Sequence, residues 1–185
     1  MEKNKIQPTL IKDFVSQANA ADINNYLRSK ATINPMGLLN VQLDDIATHV
    51  FEEGDNKDNN LAIQLIIDSI KGSLGFPFAK IETDRVLYQV LQVGEGLGWH
   101  TDAYGGVDGY EDNYYSALLY LTDDYQGGEI LFYEKNSGDV DKATAYKPTP
   151  GSLIYFKGDE NYPHSVNEVT SGERANLILF FKLLK

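Results

Sequence analysis

Cysteine is absent from the 185 residues. Disulfides and thiolate ligands are thereby excluded, and any transition metal has to be held by imidazole and carboxylate groups. Positive charge is also scarce: 16 Lys and Arg stand against 27 Asp and Glu, a formal net charge of −11. Such a field repels a phosphate backbone, which rewards proteins that bring cations to release counterions, so no nucleic acid partner is expected. No stretch approaches the ~18 consecutive apolar residues of a membrane span. The opening MEKNKIQPTLIKDF lacks an apolar run followed by a small-residue cleavage site. No membrane association is expected, and the cytoplasm is the expected location. Histidine is rare as well, at His49, His100 and His164 only.

What is present describes an ordinary globular domain. With 42% hydrophobic and 23% charged residues, the chain can bury one substantial core, and a single domain over 1–185 is expected. A helical buttress over about 1–76 leads into a β-rich core over about 77–185. Within the buttress, TLIKDFV forms a short extended entry, and SQANAADINNYLRSKA follows as a helix with Ala18, Ala21, Ile23 and Leu27 on its apolar stripe. LLNVQLDDIATHVFEE, with Leu39, Leu43, Ile46 and Val50 at three- and four-residue spacing, and NNLAIQLIIDSIKG are expected as two more helices. His49 falls on the polar side of the first of these.

After GFPF the pattern changes to short β-branched and aromatic runs separated by Gly, Pro, Asn and Asp. Strands are expected at RVLYQVLQV, YYSALLYLT, EILFYE, SLIYFKG and NLILFFKLL, with a short one around His100. Several of these runs are apolar on both faces, as in two packed sheets with helices covering an outer face. A mainly β jelly roll with N-terminal helices fits this order. The longest loop candidate, DAYGGVDGYEDN, is expected to contribute to a mobile substrate lid.

The segment GWHTDAYGG places His100 and Asp102 two residues apart. In extended backbone, such residues share a face and can offer an imidazole nitrogen and a carboxylate oxygen to one metal. His164, in NYPHSVNEV, completes two histidines and one carboxylate, the facial set of non-haem Fe(II) oxygenases that leaves positions open for other ligands. The competing zinc hydrolase arrangement carries its histidines in HExxH on a helix, and that motif is missing. Ten residues beyond His164, Arg174 opens an almost charge-free strand. A guanidinium buried there needs an anionic partner, and a dicarboxylic cosubstrate would supply one. Standing alone, Arg174 would instead read as a strand-end residue paired with Glu173 or Glu168.

Taken together, LYQVLQVGEGLGWHTDA, SALLYLTDDYQGGEILFYE and PTPGSLIYFKGDENYPHSVNEVTSGERANLILFF resemble the Fe(II)- and 2-oxoglutarate-dependent oxygenases, in particular their prolyl 4-hydroxylase-like branch. The resemblance covers roughly the last hundred residues. It implies a double-stranded β-helix, with His100, Asp102 and His164 as both metal ligands and catalytic centre. It further implies that Arg174, helped by Tyr120, holds the far carboxylate of 2-oxoglutarate. The family's usual tyrosine on the strand before the HxD motif has no clean counterpart: Gln92 sits near its place and Tyr88 lies four residues earlier.

The activity implied is hydroxylation of an unactivated C–H bond using Fe(II), dioxygen and 2-oxoglutarate, with release of succinate and carbon dioxide. Asp102 argues against the related halogenases, where a small residue replaces this carboxylate. The nucleic-acid demethylating branch carries a second arginine six residues after the first, where this chain has Phe180. The resemblance of the strands to those of prolyl hydroxylases implies a peptidyl proline as the substrate. A free amino acid or other small molecule is the alternative, and a non-catalytic jelly-roll binding module is the rival from another class.

Overall fold

The computed structural model describes residues 8–30, 39–42, 80–102, 114–133, 142–158 and 161–184. The chain enters through β1 (Thr9–Ile11), α1 (Gln17–Lys30) and β2 (Leu39–Gln42). It continues through β3 (Lys80–Leu91), β4 (Leu97–His100), β5 (Tyr114–Tyr120), β6 (Gln126–Gly127), β7 (Ile130–Phe132) and β8 (Thr144–Tyr146). The last strands are β9 (Leu153–Lys157), β10 (His164–Val166), β11 (Val169–Ser171) and β12 (Arg174–Leu184). Six strands form a major sheet in the order β1-β9-β5-β12-β3-β2, four form a minor sheet in the order β4-β10-β7-β8, and β11 pairs with β6. All pairings are antiparallel. This is the expected jelly roll.

Strand alternation divides the major sheet into two faces. On β12, Leu177, Leu179 and Phe181 pack with Ala20 and Leu27 of α1 in one core. Ile178 and Phe180 turn the other way and meet Ile130, Phe132 and Val166 of the minor sheet in the second. The apolar runs at β5, β9 and β12 are therefore buried on both sides, which explains their lack of polar alternation.

The helix begins where Ser16 caps it, its Oγ accepting from the Asn19 backbone N–H at 3.1 Å. Its buried stripe is Ala20, Ile23 and Leu27, whereas Ala18 and Ala21 face solvent, a shift from the expected stripe. Two faces compete in an alanine-rich helix of low hydrophobic contrast, and the one carrying Leu27 wins.

A larger correction concerns LLNVQLDDIATHVFEE. Its first residues form β2, paired with β3 in the register Leu39↔Val90 to Gln42↔Leu87, and not a helix. β3 would otherwise leave a long row of edge N–H and C=O groups open, and satisfying them outweighs a weak helical period. The remainder of that segment, the helix expected at NNLAIQLIIDSIKG, His49 and the loop residues 103–113 lie outside the described residues.

The turn into β12 depends on Gly172. Its φ is +70°, and an added Cβ would run into the backbone of Asp124 and Tyr125. Gly172→Ala is expected to cost more than about 1 kcal/mol, read as a lower urea midpoint with an unchanged m-value. An unshifted midpoint would contradict this account of the turn.

Candidate metal centre

Two strands of the minor sheet build the centre. β4 and β10 pair so that His100 lies directly opposite His164. Both side chains therefore leave the same face, and their ring centroids are 4.3 Å apart. Asp102 follows β4 by two residues and brings Oδ1 to 3.7 Å from Nε2 of each histidine. One ligand atom from each of the three residues falls within 4.8 Å of the others.

Both imidazoles are oriented by the same local device. Nδ1 of His100 lies 2.8 Å from the Gly98 carbonyl, and Nδ1 of His164 lies 3.0 Å from the Tyr162 carbonyl. A carbonyl only accepts, so each Nδ1 carries the proton and each Nε2 presents its lone pair towards Asp102. His164 is buried against Phe132 and Phe156, with ring centroids at 5.4 and 4.9 Å. That burial pushes its pKa below the ordinary imidazole value, only partly opposed by Asp102. A neutral imidazole is the form that binds metal.

The three residues line a cavity of about 400 Å³ between the two sheets. Its remaining wall is largely apolar, with Leu118, Ile178 and Phe180 from the major sheet and Ile130 and Val166 from the minor one. Such a wall excludes water from the chemistry and strengthens each polar contact inside.

Beside the cavity lies a buried cation. Arg174 is fully buried, Nη2 donates to the Tyr120 hydroxyl at 3.0 Å, and the guanidinium stands 5.1 Å from that ring's centroid. Its Nε and Nη1 have no hydrogen-bond partner among the described residues, and neither has the hydroxyl of buried Tyr125. Burial raises the Tyr125 pKa to about 12 against the opposing Arg174 charge, so the phenol stays neutral and keeps its O–H. The two unpartnered guanidinium N–H groups, with the Tyr125 hydroxyl beside them, fit a carboxylate, which has about four lone-pair sites. Gly128 keeps the cradle open, since a Cβ there would press on the Tyr125 ring and the Arg174 Cδ at 3.0–3.1 Å. The Arg174 charge also acts to lower the His164 pKa, so the two groups belong to one electrostatic site.

Glu173 does not neutralise Arg174. It pairs with Arg28 of α1 and accepts from Gln92 Nε2 at 3.1 Å. Thr122 Oγ1 donates to the Glu173 carbonyl and accepts from the Ala175 N–H, which fixes the start of β12 against β5. Neither Gln92, just beyond β3, nor Tyr88 within it turns to the cavity: Gln92 donates to Glu173, and Tyr88 donates to Asn24 of α1 at 2.8 Å behind the sheet. Leu87 and Gln89, of opposite parity to Tyr88, are the β3 side chains that line the cavity, and Gln89 is the polar one. Tyr125, Gly128 and Gln89 escaped sequence reasoning; only parity along β3 could have singled out Gln89.

Comparison with known proteins decides the family. Residues 87–182, more than half of the chain, match the model of the 2OG-Fe(II) oxygenase superfamily. The chain belongs to that superfamily. Fe(II) is accordingly its metal, with 2-oxoglutarate and dioxygen as cosubstrates; the two imidazoles and the carboxylate fit the metal, and the unpartnered Arg174 N–H groups fit a carboxylate of 2-oxoglutarate. Human prolyl 3-hydroxylase 2 is 42% identical over 69 residues, which are 37% of this chain and 10% of that protein. The human prolyl 3-hydroxylase 1 match is 36% identical over 69 residues, 37% of this chain and 9% of the relative. The matched region thus spans about a tenth of these relatives.

Among solved structures, the 2OG complex of the viral collagen prolyl hydroxylase vCPH from Paramecium Bursaria Chlorella virus-1 has a TM-score of 0.70 at 18% identity, covering 98% of each chain. A Pseudomonas putida prolyl-4-hydroxylase follows at 0.66 and 18%, covering 98% of this chain and 95% of that one. A Trichoplax adhaerens prolyl hydroxylase in complex with a hypoxia inducible factor peptide fragment gives 0.64 and 15%, covering 97% and 84%. These likenesses establish the fold.

Anaerobic titration with Fe(II), or with Mn(II) as a redox-stable probe, is expected to find one site per chain. Asp102→Ala and His164→Ala should each weaken it by at least the ~10–100-fold that loss of an outer partner costs. Undiminished affinity in both variants would move the metal elsewhere.

Proposed function

We propose that this chain is a 2-oxoglutarate-dependent dioxygenase that hydroxylates a peptidyl prolyl residue. The observation that carries the reading is the pairing of the His100–Asp102–His164 cluster with a fully buried Arg174 that lacks a counter-anion among the described residues. Simple metal binding has no use for that cation. A dicarboxylate that chelates metal at one end needs it at the other.

In this reading His100 Nε2, His164 Nε2 and an Asp102 oxygen hold Fe(II), and Arg174 with Tyr120 and Tyr125 holds the far carboxylate of 2-oxoglutarate. The bound metal supplies activation of dioxygen: one oxygen atom enters the substrate C–H bond, and the other enters succinate as carbon dioxide leaves. The chain supplies placement. Arg174 and its two tyrosines would hold the cosubstrate's far end, the Nδ1 hydrogen bonds hold both imidazoles in the ligating tautomer, and the apolar wall would keep bulk water from the reacting carbon.

Choice of a peptidyl proline rests on the names of the relatives, prolyl hydroxylases both in sequence and in fold. The bound peptide in the Trichoplax structure is a property of that protein, and it supports a peptide over a free amino acid here. The net charge of −11 supports the exclusion of nucleic acid. Among the described residues, no helix is long and apolar enough to cross a membrane.

Incubation of the Fe(II) protein with 2-oxoglutarate and proline-rich peptides is expected to add one oxygen atom to a prolyl residue and to release one succinate per hydroxylation. Modification of free proline with no reaction on peptides would select the small-molecule alternative. No succinate from any of them would favour a binding module. Arg174→Ala is expected to weaken 2-oxoglutarate binding by at least about a hundredfold, because truncating one side of a buried ion pair strands the other. Arg174→Lys should fall between, keeping the charge without the planar fork.

A further inference from the structure

One polar side chain on the site-facing surface of the major sheet has no role in the account so far. Asn176, two residues after Arg174 in β12, is fully buried, and neither its Oδ1 nor its Nδ2 has a hydrogen-bond partner among the described residues. A buried carboxamide with both ends idle is costly in a folded protein, and native structures rarely retain one without a use. Its neighbours in the strand are Leu177, Ile178, Leu179 and Phe180, so general polarity does not explain it.

The register defines what Asn176 faces. It shares parity with Arg174 and Ile178, and it is paired with Gln89 on β3 and with Tyr120 on β5. Along this face, the Arg174 row comes first, the Gln89–Asn176–Tyr120 row second, and the Leu87–Ile178–Leu118 row third. Gln89, Ile178 and Leu118 line the cavity that contains His100, Asp102 and His164. Successive same-face residues are about 6.6 Å apart, so the middle row is what an extended dicarboxylate crosses on its way from Arg174 to the metal.

We propose that the Asn176 carboxamide is a second anchor for 2-oxoglutarate, its Nδ2 donating to the near carboxylate. This rests on the cosubstrate reading given under the proposed function. The far carboxylate is already matched by the idle Nε and Nη1 of Arg174 and the Tyr125 hydroxyl. Asn176 lies one row closer to the metal, and the near carboxylate is the next acceptor along the chain of the ligand. Its role is to hold the near carboxylate, whereas Arg174 selects a dicarboxylate.

The test uses the full chain loaded with Mn(II), titrated calorimetrically with 2-oxoglutarate and with 2-oxobutyrate, a 2-oxo acid that lacks the far carboxylate. Asn176→Ala is expected to weaken both ligands by a similar factor, on the order of tenfold or more for a lost hydrogen bond to a charged group. Arg174→Ala is expected to weaken 2-oxoglutarate and leave 2-oxobutyrate unchanged. Without ligand, the urea midpoint of Asn176→Ala should equal or exceed that of the parent, since an unsatisfied buried group has been removed. Wild-type affinity for both ligands in Asn176→Ala overturns the proposal, as does a loss confined to 2-oxoglutarate, which would put the amide at the far end. A lowered midpoint in both Asn176→Ala and Asn176→Ser, or failure of both to fold, assigns the residue a structural role and also overturns it. Failure of the parent protein itself to bind 2-oxoglutarate would remove the underlying function as well. Binding by the parent that Arg174→Ala weakens and Asn176→Ala does not would remove this inference alone.

Discussion

The two-sided pairing of β12 is the constraint on which the rest of the structure depends. This strand is hydrogen-bonded to β3 along its whole length and to β5 over most of it, so its register fixes both neighbours at once. A slip of one residue would turn Arg174 and Asn176 towards α1 and bring Leu177 and Leu179 into the site. The hydrophobic contacts with Ala20 and Leu27 on one side, and with Ile130, Phe132 and Val166 on the other, hold that register from two directions. Packing thus decides where the cation stands. Thr122 and the Gly172 turn then set the end of the strand, just where the guanidinium begins.

The metal cluster obeys a simpler rule. Its two histidines are a cross-strand pair of adjacent short strands, and its carboxylate lies two residues beyond one of them. Short strands suffice because each imidazole is held by a backbone carbonyl two residues back in its own segment. Local hydrogen bonds supply the precision, and the sheet supplies only proximity. The division of labour between the sheets follows: the minor one carries the metal ligands, the major one the cation and its polar companions.

These two kinds of order differ in how far they can be read from residues alone. The five long β-rich segments, the HxD spacing, the distal His164 and the Arg174–Tyr120 pair were legible because each is a local pattern or a recurrent set. β2 was not, because LNVQ carries a helical period whose outcome is decided by the open edge of a strand some forty-five residues away. The stripe on α1 was displaced for a related reason, alanines at 18, 20 and 21 being nearly equivalent until a partner surface chooses among them. Strands of two or three residues, such as β6, β8, β10 and β11, exist only through their partners. Asn176 stood visibly alone among apolar neighbours, yet its meaning required the knowledge that Gln89 and Tyr120 flank it.

The Arg174 guanidinium, without a counter-anion among the described residues, has a consequence for the folding equilibrium of the chain. A folded chain with a desolvated charge and idle donors is less stable than the same chain with them satisfied. Any dicarboxylate that fills the cradle adds RT ln(1 + [L]/Kd) to the folding free energy, about 2.7 kcal/mol at a hundred times Kd. Quality control that removes unfolded chains then acts more heavily when such acids are depleted. Filling of the cradle would then govern how long a folded copy lasts, quite apart from any rate.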